Sequence, residues 1–256
     1  MNKFEPKHTK LLALSLMLVA VMLIGIVYNY KTVGVFYNST IKKLPIYSTK
    51  RDDNKIAISF DTSWGTDYTM DILDILDKHQ VKATFFLIGT WIDDYKDLAK
   101  EIHSRGHEIG NHSNTHPDMS KISREKIINE IAVTDVKIMD ITGERPELFR
   151  CPSGAYNDDV IETAESTNHK IIQWDVDSID WKEKGLKEEY DRVIEKTKSG
   201  SIILFHNNAK YTPENLNRII EKLKSDGYEF NPVSEVIYKD EYYLDHTGKQ
   251  IKNTEK

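Results

Sequence analysis

The sequence contains one cysteine, Cys151, and no stretch that is dense in lysine or arginine. A single thiol cannot form an intramolecular disulfide, so cysteine usage does not identify the redox compartment. The 35 basic and 41 acidic residues give a formal net charge of −6. The chain therefore lacks the electrostatic footprint of a nucleic-acid-binding protein, and a neutral substrate suits it better. No internal repeat or low-complexity segment is visible in it.

Only one long apolar run is present, at residues 11–28, and it carries no charge. Its length is close to the roughly 20 residues that a helix needs to cross a bilayer, which predicts an uncleaved transmembrane signal-anchor. Lysines lie on both sides of the run, at Lys3, Lys7 and Lys10 before it and at Lys31, Lys42 and Lys43 after it. The first group favours a cytoplasmic N-terminus at residues 1–10 and an exported domain, although the second weakens this bias. The alternative is a cleaved signal peptide, but no A-x-A-like site follows.

The rest of the chain divides by composition. Residues 29–54 are polar and without clear periodicity, which predicts a linker, and residues 241–256 form a polar C-terminal tail. Between them, residues 55–240 alternate short β-rich runs with helical patterns. The β-rich runs are Ile56–Phe60, Ala83–Ile88, Glu108–Gly110, Leu148–Arg150, Lys170–Trp174 and Ser201–Phe205. This alternation predicts an α/β fold, a distorted (β/α) barrel of about seven units behind one transmembrane helix.

Polar residues follow the predicted strands. In a barrel of this type the chemistry belongs at the carboxyl ends of the strands, where loops converge. The residues at these ends are Asp61, His112, His116, Arg150, Asp177, Asp180 and His206. We therefore expect them to share one site.

His112 and His116 lie four residues apart between Gly110 and Pro117, in a predicted tight loop. Two imidazoles that converge there could hold a divalent metal such as zinc, cobalt, nickel or iron. Taken alone, the pair is equally consistent with surface polar residues. Asp61 ends an apolar strand and suits a general base, or else a helix cap. His206 ends another such strand and suits a proton donor, or else a core histidine.

Five motifs occur in order along residues 55–236. They are Ser59-Phe60-Asp61-Thr62, His112-Ser113-Asn114-Thr115-His116, Arg150-Cys151-Pro152-Ser153-Gly154, Asp177-Ser178-Ile179-Asp180-Trp181 and Leu204-Phe205-His206. Together they resemble the NodB-homology polysaccharide deacetylases, carbohydrate esterase family 4. The Phe-Asp-Thr-Ser-Trp-Gly and Pro-Ser-Gly-Ala-Tyr segments and the N-terminal apolar run further resemble the PdaB-like, sporulation-associated branch of this family.

The resemblance implies a role for each motif. Asp61 would be the base and His206 the general acid, with Arg150 orienting Asp61 and Asp180, rather than Asp177, supporting His206. His112 and His116 would bind a divalent metal, most simply Zn²⁺, with Co²⁺ or Ni²⁺ as alternatives. Trp181 and Leu204 would form the pocket for the acetyl methyl group, and the backbone N–H near Ser153 would face the oxyanion. The substrate would be a cell-wall glycan, and the enzyme a single-pass membrane protein with its catalytic domain on the extracytoplasmic side.

One position departs from the family pattern. The family usually has a second aspartate after the base, as a metal ligand, where this chain has Thr62. A neutral hydroxyl is a poor substitute for a carboxylate. Asp67 or Asp61 could replace the missing ligand, or two histidines and water could hold the metal. The leading hypothesis is thus an active N-deacetylase acting on peptidoglycan or a similar glycan. The alternatives are a catalytically silent glycan-binding protein on the same fold and an O-acetyl esterase.

Overall fold

The computed structural model describes residue 11, residues 13–26 and residues 42–253. Within this part of the chain, no helix is both long enough and apolar enough to cross a membrane. Residues 11 and 13–26 are helical and exposed. The remainder of the predicted anchor, residues 12, 27 and 28, lies outside the described residues, as do residues 1–10 and 29–41. The chain divides into two compact units, Met1–Lys42 and Lys43–Lys256, and every strand among the described residues belongs to the second unit.

The strands and helices of this unit alternate along most of its length. The strands are β1 (Ser48–Thr49), β2 (Lys55–Thr62), β3 (Thr84–Leu87), β4 (Glu108–Asn111), β5 (Leu148–Phe149), β6 (Lys170–Ile171), β7 (Val176–Asp177), β8 (Ile202–His206), β9 (Glu229–Phe230), β10 (Tyr242–Leu244) and β11 (Lys249–Lys252). The helices are α1 (Thr69–Lys78), α2 (Gly89–Asp94), α3 (Lys96–Ser104), α4 (Arg124–Thr142), α5 (Asp158–Ser166), α6 (Leu186–Lys196), α7 (Thr212–Ser225) and α8 (Val233–Val236).

The main sheet runs in the order β6-β5-β4-β3-β2-β8-β7, and β9 also pairs with β2. All of its pairings are parallel. The central strand β2 is buried along seven of its eight residues, as expected for a parallel strand covered on both faces. Its register with β8 sets Asp61 beside His206. The carboxyl ends of these strands therefore bring the two residues to one level of the sheet.

The expected barrel of about seven units is confirmed in a coarser form, as a half-barrel of parallel strands. Among the described residues, the end strands β6 and β7 do not pair with each other. Both are only two residues long. Beyond β6, a single parallel bridge joins Ile46 to Ile172. The segment that precedes β1 thus covers this edge of the sheet, which in a closed barrel would be covered by pairing between β6 and β7.

A second sheet, in the order β1-β11-β10, joins the two ends of the compact unit. It contains residues that the sequence assigned to the linker and to the C-terminal tail, so the compact unit differs from the predicted 55–240 domain at both ends. A Cβ atom at Gly200, whose φ is +81°, would lie 1.8 Å from the carbonyl oxygen of Thr49. Only glycine therefore allows β1 to pass this closely, and the contact is invisible to local sequence patterns.

Candidate active site

A cleft of about 520 Å³ opens beside the carboxyl ends of β2 and β8. Among the residues singled out from the sequence, those that line it are Asp61, His112, His116, Ser153, Asp177, Trp181, Leu204 and His206. Arg150 and Asp180 are almost fully buried and contact two of these residues, Asp61 and His206. Asp67 is exposed and does not belong to the lining. The structure thus brings together all the predicted site residues except Asp67.

Asp61 is held by a buried ion pair. Nη1 of Arg150 donates to Oδ1 of Asp61 at 2.8 Å, and Oδ2 lies 3.5 Å from Nε2 of His112. Burial opposes ionisation of this carboxyl, but His112, Arg150 and His206 outweigh it, so the pKa of Asp61 lies below its usual value. The group is therefore a carboxylate with one oxygen committed to Arg150 and the other turned toward the histidine.

The guanidinium of Arg150 is fully buried in a cage of sheet residues. Its Nη2 donates to the hydroxyl of Ser59 at 2.9 Å and to the carbonyl of Gln173 at 3.2 Å. Its Cζ lies 4.0 Å from the centre of the Phe86 ring, a distance at which an aromatic face attracts a cation. These partners hold the guanidinium rigidly behind Asp61. The contacts of Ser59 and Phe86 with Arg150 were not predicted from the sequence, because these neighbours are distant in the chain.

His112 and His116 both line the cleft, and their rings lie edge to face with centroids 5.1 Å apart. Nδ1 of His112 lies 2.8 Å from the carbonyl oxygen of Arg150. Because a carbonyl only accepts, Nδ1 carries the proton and Nε2 is left with a lone pair. Burial lowers the pKa of His112 to about 4 and also lowers that of His116. Both imidazoles are therefore neutral near pH 7, the form that binds metals.

The loop between these histidines has a strained backbone, with φ values of +69° at Ser113 and +59° at His116. Helix α4 holds it in this shape. Oε2 of Glu130 accepts from the backbone N–H groups of Asn114 and Thr115, both at 2.8 Å. The hydroxyl of Ser113 accepts from the N–H of His116 at 3.0 Å. The spacing of the two imidazoles thus depends on Glu130, outside the motif, as well as on Ser113 within it.

The histidine pair fits a divalent metal. Nε2 of His112 is buried and has no hydrogen-bond partner among the described residues, and neither has Oγ1 of Thr62. An unpaired buried lone pair is costly, and a cation next to it removes that cost. A hydrogen bond from the other ring nitrogen to a carbonyl is typical of metal-binding histidines. The described residues include no cluster of three or more His, Cys, Asp or Glu ligands. The groups that the described residues offer to such an ion are the two imidazoles, with a carboxylate oxygen of Asp61 lying 3.5 Å from Nε2 of His112.

His206 and Asp180 form the second buried pair. Nδ1 of His206 donates to Oδ1 of Asp180 at 2.7 Å, and the backbone N–H of His206 donates to Oδ2 at 2.7 Å. Burial disfavours the imidazolium, but the hydrogen bond and charge of Asp180 outweigh it and raise the pKa of His206. This arrangement leaves Nε2 available to the cleft. Asp177 instead accepts from the N–H of Ile179 at 2.8 Å.

Ile179, directly before Asp180, has a φ of +54°. A positive φ is a genuine outlier for a β-branched residue and costs of order 1–3 kcal/mol. The hydrogen bond to Asp177 supports this strained turn, which aims Asp180 at His206. Asp177 therefore shapes the loop, and Asp180 contacts the histidine.

Aromatic residues form the rim of the cleft. Trp64 and Trp181 are each 58% exposed, unusually high for tryptophan, and both line it. The indole of Trp64 packs edge-on against His116 at 4.7 Å between ring centroids. Ser153 lies on the lining with a φ of +53°. The cleft thus combines apolar walls with a base and an acid on adjacent strands, a combination suited to hydrolysis of an acyl group.

Comparison with known proteins agrees with this chemistry. The sequence profile of the family "Polysaccharide deacetylase" matches residues 48–172. The uncharacterized protein YlxY of Bacillus subtilis is 39% identical over 75% of this chain, which spans 60% of that relative's length. The peptidoglycan-N-acetylmuramic acid deacetylase PdaA of Bacillus subtilis is 32% identical over 82% of each chain.

A solved structure with a similar fold is BA3943, a CE4 family pseudoenzyme from Bacillus anthracis. It is 34% identical, covers 81% of this chain and 70% of its own, and has a TM-score of 0.73. A BA3943 mutant with restored enzymatic activity is similar with the same TM-score and 35% identity. Both active and inactive proteins therefore resemble this chain.

Proposed function

The chain belongs to the polysaccharide deacetylase family, carbohydrate esterase family 4, and we propose that it removes N-acetyl groups from amino sugars of peptidoglycan by metal-dependent hydrolysis. One observation carries the proposal. Asp61 and His206 are register partners on β2 and β8, and each is held by its own buried partner, Arg150 or Asp180. Two groups whose surroundings favour opposite charges are the usual pairing of a base with an acid.

The residues then have the following roles. Asp61 accepts a proton from the attacking water, whose oxygen forms a bond to the acetyl carbonyl carbon. His206, protonated and supported by Asp180, gives its Nε2 proton to the amide nitrogen as the C–N bond breaks. The products are acetate and a free amine on the sugar. Trp181 and Leu204 would contact the acetyl methyl group, and the N–H near Ser153 would stabilise the negative oxygen of the tetrahedral intermediate.

We propose that His112 and His116 hold the metal, Zn²⁺ in the simplest case and Co²⁺ or Ni²⁺ as alternatives. When bound, such an ion polarises the acetyl carbonyl and lowers the pKa of water. The unpartnered Nε2 of His112 supports this assignment. Thr62 provides no carboxylate, so we expect weaker metal affinity than three protein ligands would give.

A silent glycan-binding protein is the second candidate function, favoured by Thr62 and by the resemblance to a pseudoenzyme. A single assay distinguishes the two proposals. The metal-stripped protein is reloaded in turn with Zn²⁺, Co²⁺ and Ni²⁺, and acetate release is measured on peptidoglycan. Release that depends on the added metal supports the deacetylase. Binding to the glycan without release supports the silent protein, and release only from O-acetylated glycan supports an esterase.

We further propose that residues 11–28 anchor the chain in a membrane with the catalytic unit outside the cytoplasm, because peptidoglycan lies there and the run is apolar and uncharged. Membership of the PdaB-like, sporulation-associated branch is likewise proposed, on the Phe-Asp-Thr-Ser-Trp-Gly segment. We expect the native protein to be recovered in the membrane fraction. In intact protoplasts, externally added protease should digest residues 43–253. Release of a soluble form that begins near residue 28 would contradict the anchor.

A further inference from the structure

A buried acid that the proposed mechanism does not use lies on helix α6. Glu189 is 3% exposed, although glutamate is almost never buried without a partner. Its Oε1 atom has no hydrogen-bond partner among the described residues. The side chain faces Asp180, the carboxylate that holds His206. A second acid so close to a buried carboxylate needs a physical explanation.

Two polar residues of α7 lie beside the Glu189 carboxyl, Thr212 and Asn215. Both are fully buried. The hydroxyl of Thr212 donates to Oδ2 of Asp180 at 2.9 Å, which leaves the Thr212 oxygen free to accept. Both side-chain polar atoms of Asn215 lack partners among the described residues. The groups around Glu189 thus include one oxygen that can accept, that of Thr212, and an amide that can accept or donate.

Asp180 already accepts hydrogen bonds on both oxygens, from the Nδ1–H of His206, from the Thr212 hydroxyl and from two backbone N–H groups. Glu189 therefore meets a negative charge and two neutral polar side chains, with no cation among them. Burial and, after it, the charge of Asp180 raise the pKa of Glu189 to about 8, against a smaller opposing effect of Asn215 and Thr212. At neutral pH its carboxyl is protonated and is itself a donor.

We propose that Glu189 is a positioning residue for His206, acting through Thr212 and Asp180. Its carboxylic O–H donates to the oxygen of Thr212, the Thr212 hydroxyl donates to Asp180, and Asp180 accepts from Nδ1 of His206. This chain fixes the rotamer of Thr212 and so the carboxylate that orients the histidine. An ionised Glu189 would lose its donor role and repel Asp180. The role as support of a proton donor rests on the proposed function.

The test is nuclear magnetic resonance of the His206 imidazole in the whole protein labelled with ¹⁵N-histidine. Glu189→Gln keeps a neutral donor of the same shape, and Glu189→Ala removes it. Val193→Ala, one turn along α6 and fully buried, is the control for a loss of packing. At pH 6.5 we expect the Nδ1 proton resonance of His206 to be unchanged in Glu189→Gln and Val193→Ala and displaced in Glu189→Ala. Between pH 7 and 9 the wild type should show a second titration step in this resonance that Glu189→Gln lacks.

Activity is a second measurement. Glu189→Ala should lower kcat about tenfold with KM unchanged, and Glu189→Gln should stay within about twofold of wild type, the usual scale for a group that orients another. The proposal is overturned if Glu189→Ala leaves the His206 resonance unchanged, if Glu189→Gln alters it as much as Glu189→Ala does, or if the wild type shows no second step. Because the resonance is measured without substrate, an inactive protein would contradict the proposed function while still testing this inference.

Discussion

The contacts of the Asp61 carboxylate suit it to the role of base in the proposed reaction. One oxygen accepts from Arg150 and the other faces His112, and the charges around the carboxyl hold its pKa below the usual value, so Asp61 is an unprotonated acceptor. Replacement of Asp61 by Asn retains the shape but removes the basicity. We expect kcat to fall by about 10²–10⁴-fold with the fold intact, because general base catalysis contributes on that scale.

The matched control for Asp61→Asn is the same substitution at Asp67, which is exposed and outside the cleft lining. Acetate release by Asp67→Asn should stay within about twofold of wild type. If Asp67→Asn instead abolishes zinc binding, Asp67 is the substitute ligand after all. A loss below about tenfold in Asp61→Asn would rule out its role as base.

Substitution of Thr62 is the clearest test of what limits metal affinity in the proposed site. Its side chain is fully buried and its hydroxyl has no partner among the described residues. Thr62→Asp should tighten zinc binding at least tenfold in calorimetric titration, because a carboxylate adds a charged donor. Without metal the same variant should be less stable than wild type, since it buries a second carboxylate beside Asp61.

Thr62→Val is the isosteric control. It removes only an unpartnered hydroxyl, so zinc affinity and the free energy of unfolding should match or exceed those of wild type. If Thr62→Val weakens zinc binding as much as His112→Ala does, the hydroxyl is itself a ligand, and the account of Thr62 as a missing donor is wrong.

The residues found from the sequence are those whose chemistry is visible in a short motif. Asp61, His112 and His206 each end a predicted strand, and parallel strands end at the same edge of a sheet. Phe86, Thr212 and Glu189 were missed, because their importance comes from contacts across the sheet or between helices, and nothing in their local sequence distinguishes them from core or cap residues. Ser59 lies in the first motif, but its contact with Arg150 was not foreseen.

At the scale of single elements, helix α4 holds the histidine loop through Glu130. Glu130→Ala removes the acceptor for two backbone N–H groups and should release the strained loop. We expect zinc affinity to fall about 10–100-fold, the usual cost of losing a group that orients metal ligands. The control is Glu125→Ala, at an exposed position on the same helix; its zinc affinity should equal that of wild type. Unchanged affinity in Glu130→Ala would show that the loop keeps its shape without α4.

His107, just before β4, should make stability depend on pH. It is 3% exposed, and its Nδ1 accepts from the N–H of Ala83 at 3.2 Å. Burial lowers the pKa of His107 from 6.5 to about 4. Between these values the unfolded chain binds a proton that the folded protein does not, so the free energy of unfolding falls as the pH drops from 6.5 to 4. The loss amounts to roughly 3 kcal/mol at most.

Urea unfolding at several pH values measures this dependence. His107→Asn retains an acceptor and should flatten the decline between pH 6.5 and 4, whereas His103→Asn, at an exposed position, should not. Equal slopes in all three proteins would contradict the assignment.

Six strands of the main sheet, β2 to β6 and β8, coincide with the β-rich runs of the sequence, since buried parallel strands are continuous apolar segments. The two-residue strands β7 and β9 were not predicted. The second sheet was not foreseen. Its strand β1 has two residues, β10 has three and β11 has four, and segments this short carry no usable period. Pairing between Ser48 and Lys249 depends on contacts between the two ends of the unit.

At the scale of the whole molecule, the start of the compact unit at Lys43 leads to a prediction about truncation. Ile46 is 3% exposed, and its backbone exchanges hydrogen bonds with Ile171 and Gln173 at 2.8 and 2.7 Å. A chain that begins at Arg51, as the predicted linker would allow, loses these contacts and strand β1. Burial of one isoleucine contributes about 1.5–3 kcal/mol, so the chain from Arg51 should have a Tm about 5–10 °C below that of the chain from Lys43.

Differential scanning calorimetry of the two chains makes the comparison, with Ile46→Ala in the longer chain as an intermediate case. That variant keeps β1 and its backbone hydrogen bonds and loses only the packing of one side chain, so its Tm should lie between those of the two chains. The shorter chain should also expose the edge of β11, because Ser48 and Thr49 are its parallel partners, and an unpaired edge promotes association. Equal melting temperatures for the chains from Lys43 and Arg51 would mean that residues 43–50 add nothing to the folded unit and act only as a linker.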